Sequence, residues 1–166
     1  MLLERCGEGS EAGSSLDRAP HHYQDATASA EHAIHLAQRG RPVVLAFFPA
    51  AFSSVCTKEL CTFRDSLAAF NKANAQVYGI SVDTFFTLKA FKDAQGLTFP
   101  LLSDFNKTAI RDYGVFNEDM IGLKGIAKRA VFVLDKDGTV RHREVLEDAR
   151  NEPDYQQTLG AVAALA

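Results

Sequence analysis

The chain has 166 residues, 46% of them hydrophobic and 23% charged, with a formal net charge of −3. This suits one soluble domain with a substantial core, and the acidic balance excludes the basic stripe of a nucleic-acid binder. No apolar run approaches the roughly 20 residues that span a bilayer, so neither nucleic acid nor membrane is an expected partner.

Met1 to Ser15 contains Glu4, Glu8 and Glu11 and no hydrophobic stretch, which does not read as a secretory signal. The expectation is a flexible tail over 1–18, one domain over 19–166 and a cytoplasmic location. In a reducing cytosol, cysteines more often mean chemistry or metal than structural staples. The three present, Cys6, Cys56 and Cys61, cannot all pair with one another.

Thr27–Arg39 is Ala-rich and ends at Gly40, a mild helix signal. Val43–Phe48 is a continuous apolar run, as expected of a strand buried on both faces. Thr57–Asn71 spaces Leu60, Phe63, Leu67 and Phe70 by three and four residues, predicting a helix with one buried face. Val77–Val82 reads as a second buried strand. Asp83 or Thr84 caps a helix carrying Phe85, Leu88, Phe91 and Ala94, which Gly96 ends. Phe52 and Phe85 suit either a dimer surface or a core.

Phe99–Leu102 is short and extended, and Asp104 caps a helix near Asn106–Tyr113. Ala130–Leu134, the turn Asp135-Lys136-Asp137-Gly138 and Val140–Val145 give a hairpin signal. A last helix covers about Pro153–Leu165, with Pro153 early, where its missing N–H costs little. This order predicts an α/β domain with a central mixed β-sheet flanked by helices.

Between the first strand and the first long helix lies Pro49-Ala50-Ala51-Phe52-Ser53-Ser54-Val55-Cys56. A strand, a proline turn and a helix start bring Cys56 to a helix N-terminus, where free amides and the helix dipole favour negative charge. The thiolate is the reactive form of cysteine, and such a location is one known way to lower a thiol's pKa. The plainer alternative is a small buried hydrophobe.

Pro49-x-x-x-Ser53-x-x-Cys56, then Thr57-x-Glu59, and far downstream Lys128-Arg129-Ala130-Val131-Phe132-Val133-Leu134-Asp135 resemble the peroxiredoxins. Leu101-Leu102-Ser103-Asp104 and Gly138 fit that family too. The resemblance covers roughly Arg41 to Leu165 and implies a thioredoxin-like fold that reduces peroxides without a metal or organic cofactor. It implies that Cys56 is the peroxidatic nucleophile and that Arg129 stabilises the thiolate and orients the peroxide. Ser53 would hydrogen-bond the sulfur or the peroxide, Pro49 would shield the turn from water, and Glu59 would hold Arg129 in place.

Cys61 follows Cys56 by five residues, a spacing similar to the bacterioferritin-comigratory-protein subgroup, where that cysteine is often the resolving one. Alkyl hydroperoxide reductase E-like members are similar as well. In an intact helix five residues rise about 7.5 Å, whereas a disulfide needs Cα atoms closer than about 7 Å. Resolution by Cys61 therefore requires residues near 52–62 to unwind. The alternative is that Cys61 packs in the helix and an external thiol resolves Cys56.

The implied partners are a peroxide substrate and thioredoxin or a similar dithiol reductant, with the protein a monomer or homodimer. A disulfide oxidoreductase is disfavoured because Cys56 and Cys61 are not a Cys-x-x-Cys pair; a redox-responsive binding module on the same fold remains the alternative outside catalysis. Two departures from the family stand out. Ser53 occupies the position usually held by threonine. His22 stands where a phenylalanine is usual, and the hairpin expected after it is missing. His21, His22, His32 and His35 cluster locally, but no accompanying cysteine or carboxylate set completes a tetrahedral metal site, so they read as exposed histidines. Cys6 reads as incidental.

Overall fold

The computed structural model describes residues 40–166. The expected tail, the helix over Thr27–Arg39, the histidine cluster and Cys6 lie outside the described residues. Among the described residues, no helix is long and apolar enough to cross a membrane.

Strand β1, Val43–Phe47, is buried along its whole length because it is the central strand of a five-stranded sheet ordered β3-β2-β1-β6-β7. It runs parallel to β2, Gln76–Ser81, which runs parallel to β3, Leu101–Ser103. On its other side it pairs antiparallel with β6, Ala130–Leu134, and β6 pairs antiparallel with β7, Val140–Val145. The sheet is mixed, as the sequence predicts. A small ribbon of β4, Phe116–Asn117, and β5, Ile126–Ala127, is additional. Strands of two residues are too short to leave an alternation in the sequence.

Alternate residues of β1, and Phe48 just after it, feed the two faces of the sheet. Val44, Ala46 and Phe48 join a core with Leu60 and Phe63 of helix α1 (Ser54–Asp65), Phe70 of α2 (Leu67–Lys72), Leu88 and Phe91 of α3 (Phe85–Gln95) and Val162 of α5 (Tyr155–Ala163). Val43, Leu45 and Phe47 pack on the opposite face with Tyr78, Phe132 and Ile110 of α4 (Ala109–Asp112).

The helix expected over Thr57–Asn71 differs at both ends of its story. It starts earlier, at Ser54, and it breaks at Ser66, where φ is −91° and ψ 0°. Leu60, Phe63 and Phe70 stay on one buried face across the break, so hydrophobic spacing gives no sign of it. The last helix also starts later than expected. Asp154 caps it by accepting from the amides of Gln156 and Gln157, leaving Pro153 ahead of the cap instead of within the first turn. Thr84 accepts from Thr87 N–H and Gly96 takes the left-handed conformation, as the sequence suggests. The helix expected near Asn106–Tyr113 is shorter, Ala109–Asp112, with Thr108 at its N-cap position; Asp104 lies further back, and its carboxylate accepts from Thr108, Ala109 and Ile110.

Candidate active site

The site forms at the C-terminal edge of β1. Phe48 and Pro49 are buried there, and Ala51 N–H donates to Asp83 Oδ2 at 2.8 Å, pinning the turn to the segment before α3. Phe52 follows at φ 65°, a left-handed conformation uncommon for a bulky residue. Its ring is half-exposed and rests on Phe91, with centroids 5.0 Å apart. Ser53 then returns to extended backbone as the N-cap of α1.

Cys56 is the third residue of α1 and is 1% exposed. A helix start leaves its first amides without intrahelical partners, and the side chain of the N-cap residue Ser53 does not cap them. The positive end of the helix therefore acts on the sulfur.

Arg129 reaches the same place through the sheet register. Phe47 pairs with Ala130, so Arg129, one residue before β6, sits at the edge where the Pro49 turn departs. Its side chain is fully buried. Nη2 donates to Cys56 Sγ at 3.4 Å and to the Ala149 carbonyl at 2.9 Å, Nε donates to the same carbonyl at 3.2 Å, and Nη1 donates to Glu59 Oε2. Burial works against the guanidinium's charge, but Glu59 and Cys56 outweigh it and hold Arg129 more firmly protonated than usual.

Glu59 is three residues after Cys56, so the two side chains share a helix face. It is completely buried. Burial pushes its carboxyl up to about 7, with Arg129 opposing and Glu152 and Glu144 adding to the rise. Its second oxygen, Oε1, has no hydrogen-bond partner among the described residues.

Around this trio, Lys58 pairs with Glu152, and Tyr155 donates its hydroxyl to Glu152 at 2.8 Å. Burial and then Glu152 raise the Tyr155 phenol. Sequence reasoning missed Ala149, Glu152 and Tyr155. A backbone carbonyl has no residue-type signature, and the other two are ordinary residues of a cap region. The one available signal was their nearness in sequence to the hairpin that Arg129 begins.

The structure thus brings Cys56, Arg129 and Glu59 together, with Pro49 buried in the turn leading to them. The Ser53 hydroxyl donates to the Ala50 carbonyl at 3.0 Å, which leaves its oxygen free to accept. Cys61 is a free, half-buried thiol on the same unbroken helix as Cys56, 4.0 Å from Gln95 Oε1.

A buried thiol in a first helical turn, faced by a guanidinium from the adjoining strand of a mixed sheet, defines a site that can hold negative charge on sulfur on a thioredoxin-like fold. Comparison with known proteins bears on the fold and the family. The model of the AhpC/TSA family matches residues 17–143. A putative peroxiredoxin of Mycobacterium tuberculosis is 46% identical over 105 residues, covering 61% of this chain and 66% of that protein. Alkyl hydroperoxide reductase E of Mycobacterium bovis is 38% identical over 126 residues, covering 74% of this chain and 80% of its own. The crystal structure of peroxidoxin BcpB from Mycobacterium tuberculosis superposes with a TM-score of 0.68 at 31% identity, over 79% of this chain and 84% of the other. The chain belongs to the AhpC/TSA family. The match spans just under two thirds of the length of that first relative.

Proposed function

We propose that the protein is a thiol peroxidase in which Cys56 attacks hydrogen peroxide or an organic hydroperoxide and a thioredoxin-like dithiol restores it. The observation that carries this reading is the 3.4 Å contact between Arg129 Nη2 and the buried Cys56 sulfur. Attack by the thiolate breaks the O–O bond, leaving a sulfenic acid on Cys56 and an alkoxide or hydroxide that takes up a proton. The guanidinium offers donors both to the sulfur and to an oxygen lined up beyond it, where charge develops as the bond breaks. Ser53, with its own proton engaged by Ala50, accepts a hydrogen bond from the peroxide O–H. Pro49 closes the turn against water, and Glu59 fixes the orientation of Arg129.

Cys61 is the resolving thiol in this reading. Two cysteines five residues apart on an intact α1 are more than about 8 Å apart between Cα atoms, so the first turns of the helix unwind before the disulfide forms. The left-handed backbone at Phe52 supports this, because strain of about 1–3 kcal/mol stored next to the N-cap is released when the turn opens. A coupled assay tests the reading: peroxide consumption should depend on a dithiol donor and oxidise it in equal amount. Peroxide loss with no donor oxidation argues against it.

A further inference from the structure

Arg129 has one positive charge and two claimants. Its fork is divided, Nη2 toward Cys56 and Nη1 toward Glu59, and all three side chains are at most 1% exposed. A thiolate and a carboxylate against one guanidinium would leave a net negative charge out of water, which is unfavourable unless something compensates it; the start of α1 offsets part of it at the sulfur, which leaves Glu59 the less compensated of the two. The surroundings deepen the problem. Glu152 and Glu144 add negative potential at Glu59, Lys58 is engaged by Glu152, and Tyr155, which faces Glu59 from α5, keeps its proton. Glu59 Oε1, without a hydrogen-bond partner among the described residues, marks where compensation is lacking, since a neutral carboxyl is far cheaper to leave unpaired than an anion.

We propose that Glu59 carries a proton while Cys56 is a thiolate, and releases it once the sulfur is oxidised and neutral, so that the buried trio keeps a constant charge through the oxidation step. The proposal rests on Cys56 being the peroxide-reducing thiol. The step balances: Cys56–S⁻, Glu59–COOH and ROOH give Cys56–SOH, Glu59–COO⁻ and ROH. Sulfur gains the distal oxygen with its hydrogen and is oxidised, the O–O bond breaks, and the leaving alkoxide receives one proton from solvent as Glu59 returns one to solvent. The rise of the carboxyl toward neutrality by burial is consistent with this. Glu59 acts through Arg129 and does not touch peroxide, so it is a positioning residue that also stores charge.

The test uses the full chain with Cys61→Ser, so that the helix is not required to unwind and expose Glu59 for another reason. Infrared difference spectra are recorded slightly below neutral pH before and after one equivalent of hydrogen peroxide, with peptide mass analysis of Cys56 on the same samples. The expected result is loss of one protonated-carboxyl C=O band per Cys56 oxidised, absent when Glu59→Gln is added. Should that variant not fold, ¹³C-labelled glutamate shifts the band and assigns it to a glutamate without substitution. Cys56 gaining its oxygen with no carboxyl band lost, or with the same loss in Glu59→Gln, overturns the proposal alone. Peroxide leaving Cys56 unmodified removes the peroxidase reading and the proposal with it.

Discussion

Cys56 and Arg129 are 73 residues apart in the chain, yet Sγ and Nη2 meet at 3.4 Å in the interior. The antiparallel register of β1 with β6 is the cause, because pairing Phe47 with Ala130 brings the residue before β6 to the turn that launches α1. The same guanidinium is anchored by Ala149 and Glu59, so its position does not depend on the sulfur.

That anchoring makes Arg129→Lys informative. An ammonium keeps the charge but cannot serve Cys56, Glu59 and Ala149 from one rigid fork. Loss of a positioned donor to developing charge typically costs about 100-fold or more in rate. Stopped-flow kinetics with hydrogen peroxide should show a loss of that order in a folded protein. Arg129→Ala should in addition destabilise the fold, by about 3–5 kcal/mol where Glu59 is ionised and by less at lower pH, where Glu59 is neutral.

Glu59 sets a sign for the pH dependence of stability. Its folded carboxyl ionises near 7, against a starting value of 4.5, so between those values the native state holds more proton than the unfolded chain. Stability from this group is fully present below the lower value and falls as pH rises through the higher one. One such group contributes at most about 1.4 kcal/mol per pH unit. Urea denaturation between these values should show wild-type stability declining with pH more steeply than that of Glu59→Gln. Equal slopes would mean that Glu59 does not hold its proton in the folded state.

Much of this site was legible in the sequence, and for a physical reason. A strand, a proline turn and a helix start are local signals, and they place Cys56 without any long-range knowledge. Glu59 was identified through resemblance, and its place three residues after Cys56 puts it on the same helix face. Arg129 is harder, since only the sheet register brings it close, and it was found through resemblance. The Ala149 carbonyl and the Glu152–Tyr155 contact were missed because backbone acceptors and cap residues look like any others, and nearness to the hairpin is a weak signal. The break at Ser66 was hidden because the buried face of α1 continues into α2.

Peroxide treatment of the wild-type chain should yield a Cys56–Cys61 disulfide by peptide mapping, and hydrogen exchange over residues 54–61 should accelerate in the oxidised protein. Oxidised protein with no such linkage and unchanged exchange would mean that an external thiol resolves Cys56.

Gly79 in β2 tests the packing beneath the site. A Cβ built there would lie 2.6 Å from Leu101 Cδ2 and 3.4 Å from Phe48 Cε1, so Gly79→Ala overpacks the core next to the residue that precedes Pro49. Thermal or urea unfolding should show a loss of about 1–3 kcal/mol. A neutral substitution would show that Leu101 moves freely.

The most direct measurement is rapid-quench mapping of the reduced protein against hydrogen peroxide, run beside Cys56→Ser. We expect Cys56 to acquire oxygen first, in step with peroxide loss, and Cys56→Ser to consume none. Peroxide consumption by Cys56→Ser at the wild-type rate would contradict the assignment of Cys56 as the reacting thiol.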